Sequence, residues 1–159
     1  MASEIERKFI VGNAAWREGA AGIEMAQGYL SMDAARTVRV RVAGGAAWLT
    51  IKGPSEGISR VEYEYEIPLE DARAMLEMSL PSIIEKTRYR IFYNGYVWEI
   101  DVFHGENEGL IMAEVELIHE SDAPEIPPWQ LTEVSGDLRY FNSYLAMHPF
   151  KSWPAQGHD

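Results

Sequence analysis

The chain has 159 residues, of which 47% are apolar and 25% charged, which is the composition of one soluble globular domain. It contains no cysteine, which excludes disulfides, thiolate nucleophiles and cysteine-ligated zinc. A formal net charge of −11 argues against a nucleic-acid-binding protein, whose contact face is basic. Any anionic ligand must therefore be held by local cations or by a divalent metal ion.

The chain shows neither a basic stretch followed by an apolar one nor an apolar run near the ~20 residues of a membrane span. We therefore expect a cytoplasmic protein without a membrane or nucleic-acid partner. Homodimers are the commonest oligomers, so a homodimer is one assembly to expect.

Eight stretches have the alternation and the β-branched or aromatic content of β-strands. They lie near residues 3–10, 23–30, 36–43, 46–52, 59–67, 85–93, 96–103 and 110–119. The connections Ala43-Gly44-Gly45-Ala46 and Tyr93-Asn94-Gly95-Tyr96 predict tight antiparallel hairpins, because an Asn-Gly pair suits the positive φ of such turns.

Three segments are predicted to be helical, at residues 14–18, 69–79 and 138–147. A proline-rich stretch at residues 124–128 interrupts regular structure without separating two cores. We expect one domain over residues 1–147, including the C-terminal helix, and a flexible tail over residues 148–159.

The first predicted strand places Glu4, Glu6 and Lys8 at alternate positions, so their side chains share one face of a sheet. Later strands repeat this arrangement of charged or polar residues two apart. The residues are Arg39 and Arg41; Thr50 and Lys52; Glu62, Glu64 and Glu66; Lys86, Arg88 and Arg90; Glu99 and Asp101; Glu114 and Glu116.

A single strand of this kind is more often the solvent face of an antiparallel sheet. The recurrence of like-charged pairs instead favours a mainly β (α+β) fold, an eight-stranded closed antiparallel β-barrel with a charged interior and a few covering helices. Inward charges are costly unless they are paired or bind a ligand. Carboxylates are hard oxygen donors that favour Mg²⁺ or Mn²⁺, and Arg and Lys suit phosphate.

These motifs resemble the CYTH, or triphosphate tunnel metalloenzyme, superfamily over residues 3 to about 146. The matching segments, in the family's order, are Glu4-Ile5-Glu6-Arg7-Lys8, Val38-Arg39-Val40-Arg41, Thr50-Ile51-Lys52-Gly53, Glu62-Tyr63-Glu64, Glu85-Lys86-Thr87-Arg88, Glu99-Ile100-Asp101 and Glu114-Val115-Glu116. The segments at residues 27–30 and 136–143 also resemble small bacterial members that hydrolyse inorganic triphosphate.

The resemblance implies a tunnel that binds a triphosphate and divalent metal ions, Mg²⁺ or Mn²⁺. It implies that Glu4, Glu6, Glu114 and Glu116 face the metal, supported by Glu62, Glu64 and Asp101. It implies phosphate contacts from Lys8, Arg39, Arg41, Lys52, Lys86 and Arg88. The expected reaction is in-line attack of a metal-positioned water on a terminal phosphorus.

The proton acceptor of this reaction has several candidates. Tyr29 shares a strand face with Gln27, and a cationic tunnel would stabilise its phenolate. Small bacterial members resembling this chain suggest Tyr29 in that role, whereas a packed aromatic ring with a bonded hydroxyl is equally consistent with the sequence. Lys8 or a second metal ion could do the same job.

The leading hypothesis is a metal-dependent hydrolase of inorganic triphosphate. Thiamine triphosphatase and class IV-type adenylate cyclase use the same triphosphate grip and are the alternatives within the superfamily. The alternatives without catalysis are a binder of phosphorylated ligands and a structural barrel whose charges pair with one another.

Overall fold

The computed structural model describes residues 3–154, which form nine strands and two α-helices. The strands are β1 Ser3–Val11, β2 Gly22–Ser31, β3 Thr37–Ala43, β4 Ala46–Glu56, β5 Ser59–Ile67, β6 Leu80–Tyr93, β7 Tyr96–Phe103, β8 Ile111–Glu116 and β9 Leu131–Glu133. The helices are α1 Leu69–Glu77 and α2 Asn142–Met147, and short 3-10 helices lie at Gly105–Asn107, Leu138–Tyr140 and Phe150–Ser152.

Eight of the strands form a closed antiparallel barrel. The sheet order is β5-β4-β3-β2-β6-β7-β8-β1-β9, and a further pairing between β5 and β1 closes the ring. The short β9 pairs with β1 beyond this ring. The barrel predicted from the alternating charges is therefore confirmed, as are its two hairpins, in which Ala43 lies opposite Ala46 and Tyr93 opposite Tyr96.

Two apolar layers cover the outside of the barrel. α1 packs on β3 and β4, where Ala72 meets Val40 and Ala47. On the opposite wall, Trp98 packs at 5.4 Å from Phe9 and 5.9 Å from Trp129, measured between ring centroids. These layers bury many outward residues of β1, β3, β4, β7 and β8, whereas the charged residues that alternate with them lie on the inner face.

A third apolar cluster lies inside the barrel and involves α2. Leu145 is fully buried there among the inner-face residues Ile84, Phe103 and Met112. Two positions from these three residues along their strands stand the charged residues Lys86, Asp101 and Glu114. The inner wall therefore changes from apolar to charged along the barrel, and α2 fills the apolar end. We call α2 and the buried apolar residues around Leu145 the plug.

Two of the predicted helices differ in the structure. Residues 14–18 form turns rather than a helix, because the Asn13 side chain accepts a hydrogen bond from Ala15 N and Trp16 is buried in the outer core. The predicted helix at residues 138–147 is divided at Phe141, whose extended backbone has φ −77° and ψ 139°. This break turns the Phe141 ring toward Lys8, whose Nζ lies 5.5 Å from the ring centroid.

Part of the predicted tail is packed. The 3-10 helix Phe150–Ser152 is followed by Trp153, whose ring centroid lies 5.4 Å from that of Tyr140. Residues 155–159 of that predicted tail lie outside the described residues. Within residues 3–154, none of the helices has the length and apolar character needed to cross a membrane.

The plug yields a stability prediction. Leu145→Ala should lower the free energy of unfolding by about 2–5 kcal/mol, because it leaves a cavity at a fully buried position. The same substitution at Leu138, which is 65% exposed, should change it by less than about 0.5 kcal/mol. Urea denaturation measures both, and equal effects of the two variants would contradict the described packing of α2.

Candidate active site

The charged part of the barrel interior encloses a cavity of about 230 Å³. Among residues 3–154, its wall carries seven carboxylates and eight cationic side chains. They are Glu4, Glu6, Glu62, Glu64, Glu99, Glu114 and Glu116, and Lys8, Arg39, Arg41, Lys52, Arg60, Lys86, Arg88 and Arg90. In a chain of net charge −11, the cavity wall has nearly equal numbers of cations and carboxylates, so its local charge opposes an anion less than the charge of the whole chain does.

The deepest charges form a buried cluster between β6 and β7. Asp101 accepts hydrogen bonds from Lys86 Nζ at 2.8 Å and from Arg88 Nε and Nη2 at 2.7 and 2.8 Å. These two cations hold the pKa of Asp101 well below its ordinary range although burial opposes this. Burial, with Arg88 and Arg41 nearby, lowers the pKa of Lys86 to about 7 against the opposing effect of Asp101. Arg88 also lies 3.1 Å from Glu99 and 3.6 Å from Glu114, so ion pairs link the cluster to the carboxylates of the cavity wall.

Lys8 lies between two carboxylates contributed by β1 and β8. Its Nζ is 2.6 Å from Glu114 Oε2 and 3.1 Å from Glu6 Oε1. Burial would lower the pKa of Lys8, but the two carboxylates outweigh it and raise the pKa above the ordinary value. Lys8 is therefore a cation at neutral pH, which makes it a poor proton acceptor.

Lys52 makes the equivalent link between β1 and β5. Its Nζ is 3.0 Å from Glu4 Oε1 and 3.6 Å from Glu62 Oε2. Lys52 itself lies on β4. On β3, which pairs with β4, Arg39 Nη2 lies 3.5 Å from Glu64 Oε2. Most cations of the wall are thus neutralised by carboxylates of the wall, which is how a charged interior is stable without a ligand.

Glu116 makes no ion pair within the described residues 3–154, although Glu6 lies directly opposite it on β1. The pKa of Glu116 is raised by burial and then by the charges of Glu4 and Glu6, and that of Glu6 is raised by burial and then by Glu114. Like charges opposite one another destabilise a sheet unless a cation lies between them. Across residues 3–154, no three carboxylate or imidazole groups are already gathered at metal-binding distance. The donor chemistry fits Mg²⁺ or Mn²⁺, because these glutamates supply hard, negatively charged oxygens.

A hydrogen-bonded network joins the cavity to α2. Gln27, fully buried, accepts a hydrogen bond from Arg41 Nε at 3.0 Å and donates to the Tyr29 oxygen at 3.3 Å and to Asn142 Oδ1 at 3.0 Å. Asn142, the first residue of α2, also accepts from Lys86 Nζ at 2.9 Å. The helix that fills the apolar end of the barrel therefore also positions Gln27 and Lys86 in the site. Burial and the nearby Arg39 lower the pKa of Arg41 to about 9.

Every site residue that the sequence predicts lines this cavity except Asp101, which lies behind Lys86 and Arg88. The sequence-based prediction missed Arg60 and Asn142, which line the cavity as well. Arg60 could have been found, because it precedes Glu62 by two positions on the same strand face. Asn142 could not, because its place depends on how α2 packs.

An eight-stranded antiparallel tunnel whose inner wall alternates carboxylates with Arg and Lys defines a class of protein that can bind an anion and a cation together. The CYTH domain family matches residues 2–143, and the chain belongs to this family.

Two relatives are named as inorganic triphosphatases. The protein of Acetivibrio thermocellus is 47% identical over 154 residues, covering 96% of this chain and 99% of its own length. That of Nitrosomonas europaea is 35% identical over 150 residues, covering 91% and 97%. Among solved structures, the inorganic triphosphatase NE1496 is 33% identical with a TM-score of 0.64 and coverage of 92% and 96%. The PH1012 protein from Pyrococcus horikoshii, at 22% identity, 73% and 79% coverage and TM-score 0.57, shares the fold.

The buried cluster predicts that Asp101→Asn lowers the free energy of unfolding by about 3–5 kcal/mol, because Lys86 and Arg88 lose the charged carboxylate that accepts three hydrogen bonds from them. The matched change Asp33→Asn breaks an exposed pair with Arg36 and should cost less than about 1 kcal/mol. Chemical denaturation measures both variants.

The pH dependence gives a second readout of the same variant. The pKa of Asp101 is lower in the folded state than in the unfolded state, where it is about 4. The contribution of Asp101 to the free energy of unfolding is therefore complete above about pH 4 and is lost progressively as the pH falls below that. The difference between wild type and Asp101→Asn should therefore shrink below about pH 4. A difference that stays constant down to about pH 2 would contradict the ion-pair origin.

Proposed function

We propose that the protein hydrolyses inorganic triphosphate in a reaction that depends on Mg²⁺ or Mn²⁺. The observation that carries this proposal is the cavity wall, where residues 3–154 bring eight cationic side chains together with seven carboxylates. The similarity to the inorganic triphosphatase of Acetivibrio thermocellus, 47% identical over 96% of this chain, also supports the proposal.

The cations that would hold the phosphates are Lys8, Arg39, Arg41, Lys52, Lys86 and Arg88. A polyphosphate provides oxygens that accept paired hydrogen bonds from guanidinium groups. The same oxygens form ionic contacts with ammonium groups, which act as point charges. Lys86 is poised for such an anion, because the added negative charge would raise its pKa from about 7 and keep it protonated.

The carboxylates that would hold the metal are Glu4, Glu6, Glu114 and Glu116, with Glu62 and Glu64 nearby. When bound, Mg²⁺ or Mn²⁺ supplies Lewis-acid neutralisation of charge on the phosphoryl oxygens. Asp101 is not proposed as a ligand, because three hydrogen bonds from Lys86 and Arg88 occupy its oxygens. Its proposed role is to position those two cations.

In the proposed reaction, a water oxygen attacks the terminal phosphorus in line with the bridging oxygen. The bridging P–O bond breaks, and its electron pair leaves on the diphosphate, whose charge Arg88 and Lys86 would balance. Tyr29, in its phenolate form, would take the proton. Its oxygen accepts an N–H from Gln27 at 3.3 Å and lies within electrostatic reach of Arg41 and Arg60.

The proposal is tested by measuring phosphate release from tripolyphosphate, ATP and thiamine triphosphate with Mg²⁺, with Mn²⁺ and with chelator. We expect turnover of tripolyphosphate to be highest and to stop with chelator. Glu116→Gln should raise the half-maximal metal concentration by about tenfold, because affinity depends on ligand charge. Glu66→Gln, at an exposed position outside the cavity, is the control. Absence of metal-dependent turnover of tripolyphosphate would refute the proposed function.

Tyr29→Phe should lower kcat by about 100-fold or more, because the proton acceptor is removed while the ring keeps its contacts with the plug. The measurement is kcat from about pH 6 to 10. Tyr63→Phe, which removes a hydroxyl from the outer face, serves as the control. An undiminished rate with an unchanged pH profile would exclude Tyr29 as the acceptor.

A further inference from the structure

Arg60 is a cavity cation outside the segments matched to the family in the sequence analysis. It lies on the inner face of β5, opposite Glu4 of β1 at the seam where the barrel closes. A role for Arg60 in catalysis rests on the proposed triphosphatase activity, because it adds one more side chain to the same site.

A β-bulge holds the Arg60 side chain. The pairing of β4 with β5 shifts register between Lys52 and Ser55, and the carbonyl of Gly53 within this shift accepts a hydrogen bond from Arg60 Nε at 2.9 Å. The Thr37 hydroxyl accepts a second from Nη2 at 3.2 Å. Bulges often aim side chains beside active sites, and here the bulge fixes a guanidinium group.

Both partners of Arg60 are neutral. Within residues 3–154 it forms no ion pair, in contrast to Lys8, Lys52 and Arg88, each of which contacts at least one carboxylate. The pKa of Arg60 is lowered by burial, although Glu4 and Tyr29 act against this. A partly desolvated cation held by neutral acceptors is suited to balance negative charge that increases beside it during a reaction.

The neighbours of Arg60 indicate which part of the anion it would meet. The groups that interact with it electrostatically are Glu4, Tyr29, Glu6 and Glu62. These include both the proposed metal carboxylates and the proposed proton acceptor. In the proposed reaction, the phosphoryl group under attack must lie between those two kinds of group, and Arg60 lies opposite Glu4 beside them.

We propose that Arg60 is a catalytic residue that binds the terminal phosphoryl group of the triphosphate and balances the charge that develops on it during transfer. The bulge at Gly53 and the hydroxyl of Thr37 orient the guanidinium group for this contact. A structural role, in which Arg60 merely clamps the bulge, is the alternative that the experiment separates.

Arg60→Gln should lower kcat for tripolyphosphate by about 10- to 100-fold and change KM by less than about threefold, because the interaction strengthens in the transition state. Arg60→Lys keeps the charge without the paired hydrogen bonds and should recover part of the rate. Arg36→Gln, the same substitution at an exposed arginine outside the cavity, should leave kcat and KM unchanged. Calorimetric titration of tripolyphosphate in chelator should give similar affinities for wild type and Arg60→Gln.

The inference is overturned if Arg60→Gln keeps kcat within about twofold of wild type, or if it raises KM alone. It is also overturned if Arg60→Lys and Arg60→Gln lose the same rate and the same thermal stability, since that is the result for a clamp. Wild-type protein that binds but does not hydrolyse tripolyphosphate would refute the proposed function instead, because that failure precedes any comparison of variants.

Discussion

The buried cluster of Asp101, Lys86 and Arg88 is the interaction on which the rest of the site depends. Its charges tolerate the loss of water only because each oxygen of the carboxylate has a donor within 2.8 Å. That geometry requires β6 and β7 to keep the register that sets Arg88 opposite Asp101. It also places the Lys86 and Arg88 side chains on the wall of the cavity. The same contacts thus stabilise the closed barrel and prepare it for an anion.

The plug and the cavity are two parts of one inner surface. Ile84 and Lys86 stand two positions apart on β6, one packed against α2 and the other facing the site. Asn142 joins the parts, because the residue that begins α2 accepts hydrogen bonds from both Lys86 and Gln27. The packing of Leu145 and the orientation of Lys86 are therefore coupled, and the C-terminal helix belongs to the site as much as to the core.

Much of the fold and site could be predicted because the strand period of two is local and strict. The alternation of Glu4, Glu6 and Lys8, repeated on later strands, specified which side chains share the inner face. The prediction was wrong where tertiary contacts override local pattern. Trp16 is held in a turn by the outer core instead of a helix, and Phe141 breaks the C-terminal helix to place its ring over Lys8.

The sequence by itself determined the family, the closed barrel and the set of charges on its inner wall. Tertiary structure alone decided how deep each charge lies and which partner it has. Asp101 and Glu116 both follow another acid by two positions, yet Asp101 is buried under two cations and Glu116 is partly exposed opposite Glu6. Alternation determines the face of a strand but not the depth along the barrel. Depth is set by register, by the bulge that holds Arg60 and by the plug, all of which depend on contacts between residues distant in the chain.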